Sequence, residues 1–530
     1  MNIDQALADA VEHHRAGRLE QAATGYRAII AFDPENAAAW INLGAALRAL
    51  GRTTEAVSAL DHAVRLLPDN AGAWFNLGNA RTDAGDFEAA CHAFASAAEI
   101  APDGADVYLN WGDALIRMSN AEQAAATYRR GLERCPGDAR LMSNLGNALL
   151  DLHDVGPALA MLEAATRQTP GDPTMQRNLA NGLRLAGERT RAIGILDKLI
   201  ADADDDADSR CLRAFAHFAE GDFAAAWDDY AWRWRSAHHE APRPFAQPRW
   251  NGEDLNGKTL LVWGEQAVGD ELMFATMLPH ILARANHVII ETEHRLQPLL
   301  RRSFPDAEVL ARTDPPASRL LGGDIDFQIA TGDLGQRLRR GREDFTAGPY
   351  LRADEAETER FRARYAALAA RRPRVGISWG SRSERAGAAR SLDIGSLARL
   401  LNGADVWWLS LQYGDTRAAL AELAAADCTP PHVDLEIDPL TALDPQAAQL
   451  AGLDMVVSVA NTTVHVAGAL GVPTAALLPH VADWRWLAAG ENCLWYPTVT
   501  LLRQTEPGDW TPAIAKALDQ IMLRSRSAER

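Results

Sequence analysis

Across residues 1–235, apolar and small residues recur three and four positions apart, the spacing that gathers them on one helix face. The pattern itself repeats. Pro34, Pro68, Pro102, Pro136 and Pro170 keep a constant interval of 34, and Ala22, Ala56, Ala90, Ala124, Ala158, Ala192 and Ala226 keep step with them. Gly17, Gly51, Gly85, Gly187 and Gly221 close the first helix of their periods, and Ser119 and His153 fill the same turn in between. Each period therefore predicts helix, turn and helix. The small residues Gly44, Gly78, Gly112 and Gly146 allow close helix approach, and each proline ends a second helix. One such unit cannot bury its apolar face, so stacking has to supply the core.

The periodicity stops near Trp234. Residues 236–257 carry Pro242, Pro244 and Pro248 without an apolar period and are expected to form a linker, with His238 and His239 as surface residues. Continuous apolar runs then alternate with helical stretches: 258–265, 287–293 and 326–331, a charged helix over 354–372, then 374–381, 406–414, 454–461 and 474–479. Runs of this kind predict parallel sheets covered on both faces. The expected organisation is multidomain: an all-α repeat array over 1–235, then an α/β domain of two Rossmann-like lobes, 258–372 and 373–530, the second ending in a helix.

Composition changes this picture little. A chain of 530 residues with 47% hydrophobic and 23% charged residues is ordinary for a globular protein. The net charge of −18 argues against a general nucleic-acid partner, which needs a basic face. Cys91, Cys135, Cys211, Cys428 and Cys493 are scattered without a CxxC pair, which fits free thiols in a reducing compartment. The first residues show no apolar leader, and the most apolar stretch, 464–479, is too short to span a bilayer, so a cytoplasmic location is expected. The acidic run ADADDDAD near 204 lacks the glycine and distal glutamate of a calcium loop and is expected to be a solvated turn.

The segments AWINLGAAL, AWFNLGNAR, VYLNWGDAL and LMSNLGNAL recur in phase. This Trp, Gly, Ala and Pro pattern at 34 residues resembles the tetratricopeptide repeat, which implies a superhelix holding a protein or peptide. Asn42, Asn76, Asn110, Asn144 and Asn178 share one position of the first helix. Consensus usage explains them; so does a ladder of amides that donate to and accept from a peptide backbone. The arm of the O-GlcNAc transferase family, which this region resembles, carries a ladder in the same register.

In open parallel sheets, ligands bind beyond the carboxyl ends of the strands. Three loops stand there. In GEQAVGDELMF, Asp270 is either a helix cap or a base. In WGSRSERAGAARSL, Ser381, Arg382, Arg385 and Arg390 form either a solvated loop or a seat for an anion. In SVANTTVHVAGALGVP, a strand runs into a helix through Asn461, Thr462 and Thr463, whose N–H groups and hydroxyls suit a phosphate, while His465 is either a ligand or a buried core histidine.

Taken in order, WGEQAVGDELMFATMLP, GISWGS and SVANTTVHVAGALGVPTAALLP resemble glycosyltransferases of the heptosyltransferase type, with the twin-lobed GT-B fold, over 258–504. That resemblance implies a nucleotide-sugar donor and no other cofactor. It implies Asp270, after Gly269, as base, and a phosphate-binding turn matched by His465 and Ala467. It also places Gln412 beside the nucleotide's base or ribose. The family's Asp-Thr/Ser is replaced here by Ala460–Asn461–Thr462, so acidic recognition at that point is missing. No DxD pair asks for a metal. The tail LPHVADWRWL…WYPTVTLLRQ is similar to a subgroup in which repeats and transferase are fused, a layout shared by some flagellin-modifying glycosyltransferases; Trp484 and Trp486 in it either pack or stack on a base. The expected reaction is sugar transfer to a hydroxyl of a protein, such as a Ser/Thr of flagellin, gripped by the ladder. Glu265 is the second candidate base. The alternatives are a non-catalytic repeat scaffold with a degenerate transferase-like domain, and a transferase acting on a glycan or lipid.

Overall fold

The computed structural model describes residues 2–346, 348–382 and 387–528, and of residues 388 and 526–528 the backbone alone. Two compact units divide the chain, Met1–Arg191 and Ala192–Arg530.

The first unit is all helical. First helices begin at residues 3, 37, 71, 105, 139 and 173 and second helices at 19, 53, 87, 121, 155 and 189, so the interval of 34 is kept by every element. Side chains cap several of the first helices: Asn36, Asn70, Asp138 and Asp172 each accept from a backbone N–H of the helix they precede. The turn inside each pair requires a left-handed residue. Gly17, Gly51, Gly85 and Gly187 supply it freely, whereas Ser119 (φ 57°) and His153 (φ 60°) hold it against Cβ strain. A Cβ at Gly78 or Gly112 would overlap the ring of Phe94 or Tyr128 in the second helix, which is why the position is glycine. The Trp40 and Trp74 indoles donate to the Pro34 and Pro68 carbonyls at 2.8 Å and tie each turn to the next helix.

A seventh helix pair, Ala207–Glu220 and Phe223–Tyr230, clusters with the second unit. Its aromatic residues explain this. Phe218 stacks on Trp484 at 4.6 Å between ring centroids, and the buried Trp227 donates to the Arg339 carbonyl at 2.8 Å. Asp206, from the acidic run, caps the first of these two helices.

Two parallel sheets form the rest. Strands β1 (Thr259–Trp263), β2 (His287–Thr292), β3 (Glu308–Ala311) and β4 (Phe327–Ala330) stand in the order β3-β2-β1-β4, with Leu261 opposite Ile289 and Gln328. The second sheet has β5 (Arg374–Ser378), β6 (Trp407–Ser410), β7 (His432–Val433), β8 (Met455–Val459), β9 (Thr474–Leu478) and β10 (Val499–Arg503), ordered β10-β9-β8-β5-β6-β7. The apolar runs read from sequence are strands. Three further strands were not expected: β3 is short and half-polar, β7 has two residues, and β10 is an edge strand. Helix Glu355–Ala369 links the sheets, and Thr511–Ala528 packs Ala513, Ile514, Ala517 and Ile521 into the core of the second sheet.

The stretch 236–257, expected as a linker, is packed rather than free. Arg243 pairs with the buried Glu291 at 2.6 Å, Arg249 with Asp333 at 2.9 Å, and Trp250 is buried. Charges and an indole at fixed places, rather than an apolar period, hold it, so periodicity could not reveal the docking. One apolar cluster runs through both sheets and the seventh helix pair. No helix among the described residues is long and apolar enough to cross a membrane.

Candidate functional site

A cleft of about 400 Å³ opens beyond the carboxyl ends of β5 and β6, lined by Trp379, Gly380, Ser381, Arg382, Gln412 and Tyr413 among others. In the second sheet, β5 lies between β8 and β6, so the chain order reverses between β5 and β8, one strand over from this cleft. Gln412 shapes the floor. Its Oε1 accepts from the backbone N–H groups of Trp379 (2.9 Å) and Gly380 (2.7 Å), and its Nε2 donates to the Gly380 and Tyr413 carbonyls at 3.3 Å. This amide clamps the loop that follows β5. The Ser381 N–H donates to Ser391, and the Arg382 N–H to the Tyr413 hydroxyl at 3.1 Å, while the Arg382 side chain is exposed and forms no ion pair among the described residues. Arg385 lies outside the described residues.

The strand-to-helix turn after β8 reaches the loop that follows β5. Asn461 caps helix Thr462–Leu470, accepting from the Thr463 N–H at 3.0 Å, and its Nδ2 donates to the Ser378 hydroxyl (2.8 Å) and the Gly380 carbonyl (3.1 Å). Its side chain is thus a stitch between β5 and β8 rather than an open phosphate ligand; a short amide between two strand ends satisfies the groups nearest to it first. Thr463 is buried, and Thr462 is half-exposed at the helix start. His465 is buried, with Nδ1 3.1 Å from the Tyr496 hydroxyl and its ring 5.1 Å from that of Trp486. Burial first, and then the charges of Arg485 and Arg390, push its pKa down to about 3. These are the contacts of a neutral, packed histidine, not of a phosphate ligand. Trp484 and Trp486 are buried too, so both pack.

Asp270 lies in the first turn of helix Val268–Ala275, which packs directly against helix Thr462–Leu470: a Cβ on Gly269 would stand 3.2 Å from the His465 ring. Its Oδ1 accepts from Arg485 Nε at 2.8 Å and also from Nη2. Arg485 continues through Nη1 to Asp483 at 2.6 Å, and Asp483 meets Arg390 at 3.4 Å. A chain of alternating charge therefore runs from Arg390 to Asp270. Burial alone would raise the Asp483 carboxyl, but Arg485 and Arg390 outweigh it and hold it down at about 2. Gln266 keeps a left-handed φ of 63° in the loop before Asp270, strain of a kind concentrated at functional loops.

Glu265 is not available as a base. It is buried, pairs with both Nε and Nη2 of Arg233 at 2.9 and 2.6 Å, and accepts from the Gly332 N–H. Glu271 is also buried, accepting from Thr292 (2.6 Å), Arg312 (2.7 Å) and the Glu293 N–H; desolvation raises its pKa to about 7. Among the described residues, no group of three or more His, Cys, Asp or Glu side chains is placed to hold a metal.

On the repeats, the ladder residues lie half-buried along the first helices. Asn110 donates to Asn79 at 2.7 Å, Asn144 to Asp113 at 3.1 Å and Asn178 to Ser143 at 2.9 Å, so each reaches the first helix of the preceding repeat. No bond of this kind is made by Asn42 or Asn76 among the described residues. Sequence reading missed Asp483 and Arg485, whose only signal is an arginine between two tryptophans, and the column Asn79, Asp113, Asn147 and Asn181, whose signal is again the interval of 34.

The tetratricopeptide repeat family matches residues 37–80, 71–103 and 109–173. Protein FlbA of Caulobacter vibrioides is 34% identical over 324 residues, covering 57% of this chain and 53% of FlbA, so the match spans about half of that protein's length. Among solved structures, a tetratricopeptide repeat protein from Parabacteroides merdae is 18% identical, covering 43% of this chain and 91% of that one, with a TM-score of 0.38. YrrB, described as a TPR protein with an unusual peptide-binding site, is 22% identical, covering 35% of this chain and 95% of that one, with a TM-score of 0.31. The helical region is a tetratricopeptide-repeat scaffold for protein interaction, and it is joined to an α/β region of two parallel sheets.

Proposed function

We propose that the α/β unit is a glycosyltransferase of the GT-B type, moving a sugar from a nucleotide-sugar to a hydroxyl of a protein held by the repeats. Two observations support this reading: a cleft beyond the carboxyl ends of β5 and β6, and the Arg390–Asp483–Arg485 chain that ends on Asp270. The nucleotide occupies the cleft beside Gln412 and Tyr413. The acceptor oxygen attacks the anomeric carbon as the bond from that carbon to the phosphate oxygen breaks. Asp270 takes the hydroxyl proton; its Oδ1 is anchored by Arg485, which leaves Oδ2 to face the acceptor. The departing phosphate keeps the bond electrons, stabilised by Arg382 and by the helix start at Thr462.

A rival reading, a repeat scaffold whose α/β unit is not catalytic, draws on the Arg485–Asp270 ion pair, because the guanidinium already occupies a carboxylate oxygen. Calorimetric titration with UDP-, GDP-, CMP- and dTDP-sugars decides between them. The transferase reading expects one of these to bind, and Arg382→Ala to weaken it about tenfold, the cost of one charge-assisted phosphate contact. Silence across all four donors would leave the scaffold.

A further inference from the structure

The ladder has a companion. Asn79, Asp113, Asn147 and Asn181 repeat at the same interval, each three positions after Asn76, Asn110, Asn144 or Asn178, so the two columns share one helix face. Hydrogen bonds tie the columns across repeats, Asn110 to Asn79 and Asn144 to Asp113. The first helices of repeats three to six (71–83, 105–117, 139–151 and 173–185) therefore present one continuous polar strip.

Asp113 is the exception within it, a carboxylate where the other three repeats carry an amide. It is exposed, and it accepts from the Tyr128 hydroxyl at 2.7 Å and from Asn144, both neutral. No ion pair reaches it among the described residues, and Arg117, one turn further on, does not close on it. Two other acids of these helices are paired: Asp83 with Arg48 at 2.5 Å and Asp106 with Arg140 at 2.7 Å. The strip thus holds a carboxylate that makes no ion pair among the described residues, set among amides that can donate and accept without reading side chains. Desolvation by the surrounding wall raises the Asp113 carboxyl above its ordinary value, against the opposing pull of Tyr128 and Arg117.

We propose that this face binds an extended polypeptide segment carrying a lysine or arginine, with the cation on Asp113 and the flanking amides bonded to the segment's backbone. The segment needs no sugar donor to bind, so the inference stands or falls apart from the transferase reading.

The test is selection of a random library of 12-residue peptides on the immobilised full-length chain, without donor. Wild type should enrich peptides with Lys or Arg at one fixed register. Asp113→Asn, which writes into repeat four the residue of the other three and so keeps the fold, should lower that enrichment about fivefold, the upper range for a partly exposed ion pair. Asn110→Ala with Asn144→Ala should lower retention of all peptides, basic or not. An unchanged melting temperature checks the fold of each variant. Equal basic enrichment by Asp113→Asn, enrichment of peptides without a basic residue, or no enrichment by wild type would each overturn the proposal.

Discussion

The repeat array and the α/β unit bury different things. In the first unit the core is alanine, leucine and a few aromatic rings, and among the described residues its buried polar side chains are Asn79, Thr127 and Ser143. The second unit buries Arg233, Glu265, Asp270, Glu271, Glu291, Asp333 and Arg339. Repeats are stabilised by contact with their neighbours, so a change disturbs one interface. The charged groups of the α/β unit converge from distant parts of the chain; Arg485 and Asp270 are 215 residues apart. Removing one member there strands its partner in a poorly solvated place.

The largest effect expected is catalytic. Asp270→Asn keeps an oxygen for Arg485 but cannot take a proton, so transfer should fall about 10²–10⁴-fold, the usual contribution of a general base. Turnover near wild type would remove Asp270 from that role and align the α/β unit with the scaffold reading. Next comes stability. Arg233 joins Glu265 and Asp333, at 2.6 and 2.7 Å, under the rings of Tyr230 and Trp234. Arg233→Met takes the arginine from the buried Glu265 and leaves Asp333 with Arg249 alone, and should cost about 3–5 kcal/mol in denaturant unfolding of the second unit, with the array's transition unmoved.

Glu271 sharpens the contrast through pH. Its folded pKa, about 7, lies above its ordinary 4.5, so the unfolded chain ionises first as pH rises. Below 4.5 the group costs nothing; between 4.5 and 7 stability is lost, and above 7 the loss is complete. From pH 5 to pH 8 wild type should therefore lose roughly 2 kcal/mol more than Glu271→Gln. Parallel pH profiles would contradict this. The smallest effect belongs to the array: Gly112→Val drives a side chain into Tyr128 and should cost about 1–3 kcal/mol, confined to the first unit's transition.

These differences also explain what the sequence made legible. Repeat boundaries, turn positions such as Gly17 and Ser119, and the asparagine ladder follow from a period that every neighbouring unit repeats. Strands β1, β2, β5, β8 and β9 were legible because burial on both faces writes continuous apolar runs. The loops at their carboxyl ends were legible as places. What each side chain does there was not, because it depends on partners far along the chain: Asn461 is spent on Ser378 and Gly380, Glu265 on Arg233, and Asp270 on Arg485. No local pattern carries such pairings. The seventh helix pair follows the repeat in sequence yet packs with the α/β unit, since Phe218 and Trp227 find a larger apolar surface there.

Sugar transfer to a protein held by the repeats is put to the test by intact-mass spectrometry of the partner co-purified with the full chain. With wild type, the captured protein should carry the mass of one or more added sugars, and with Asp270→Asn the same protein should be captured without them. A partner that is unmodified with wild type, or modified equally with both, would rule out transfer by Asp270.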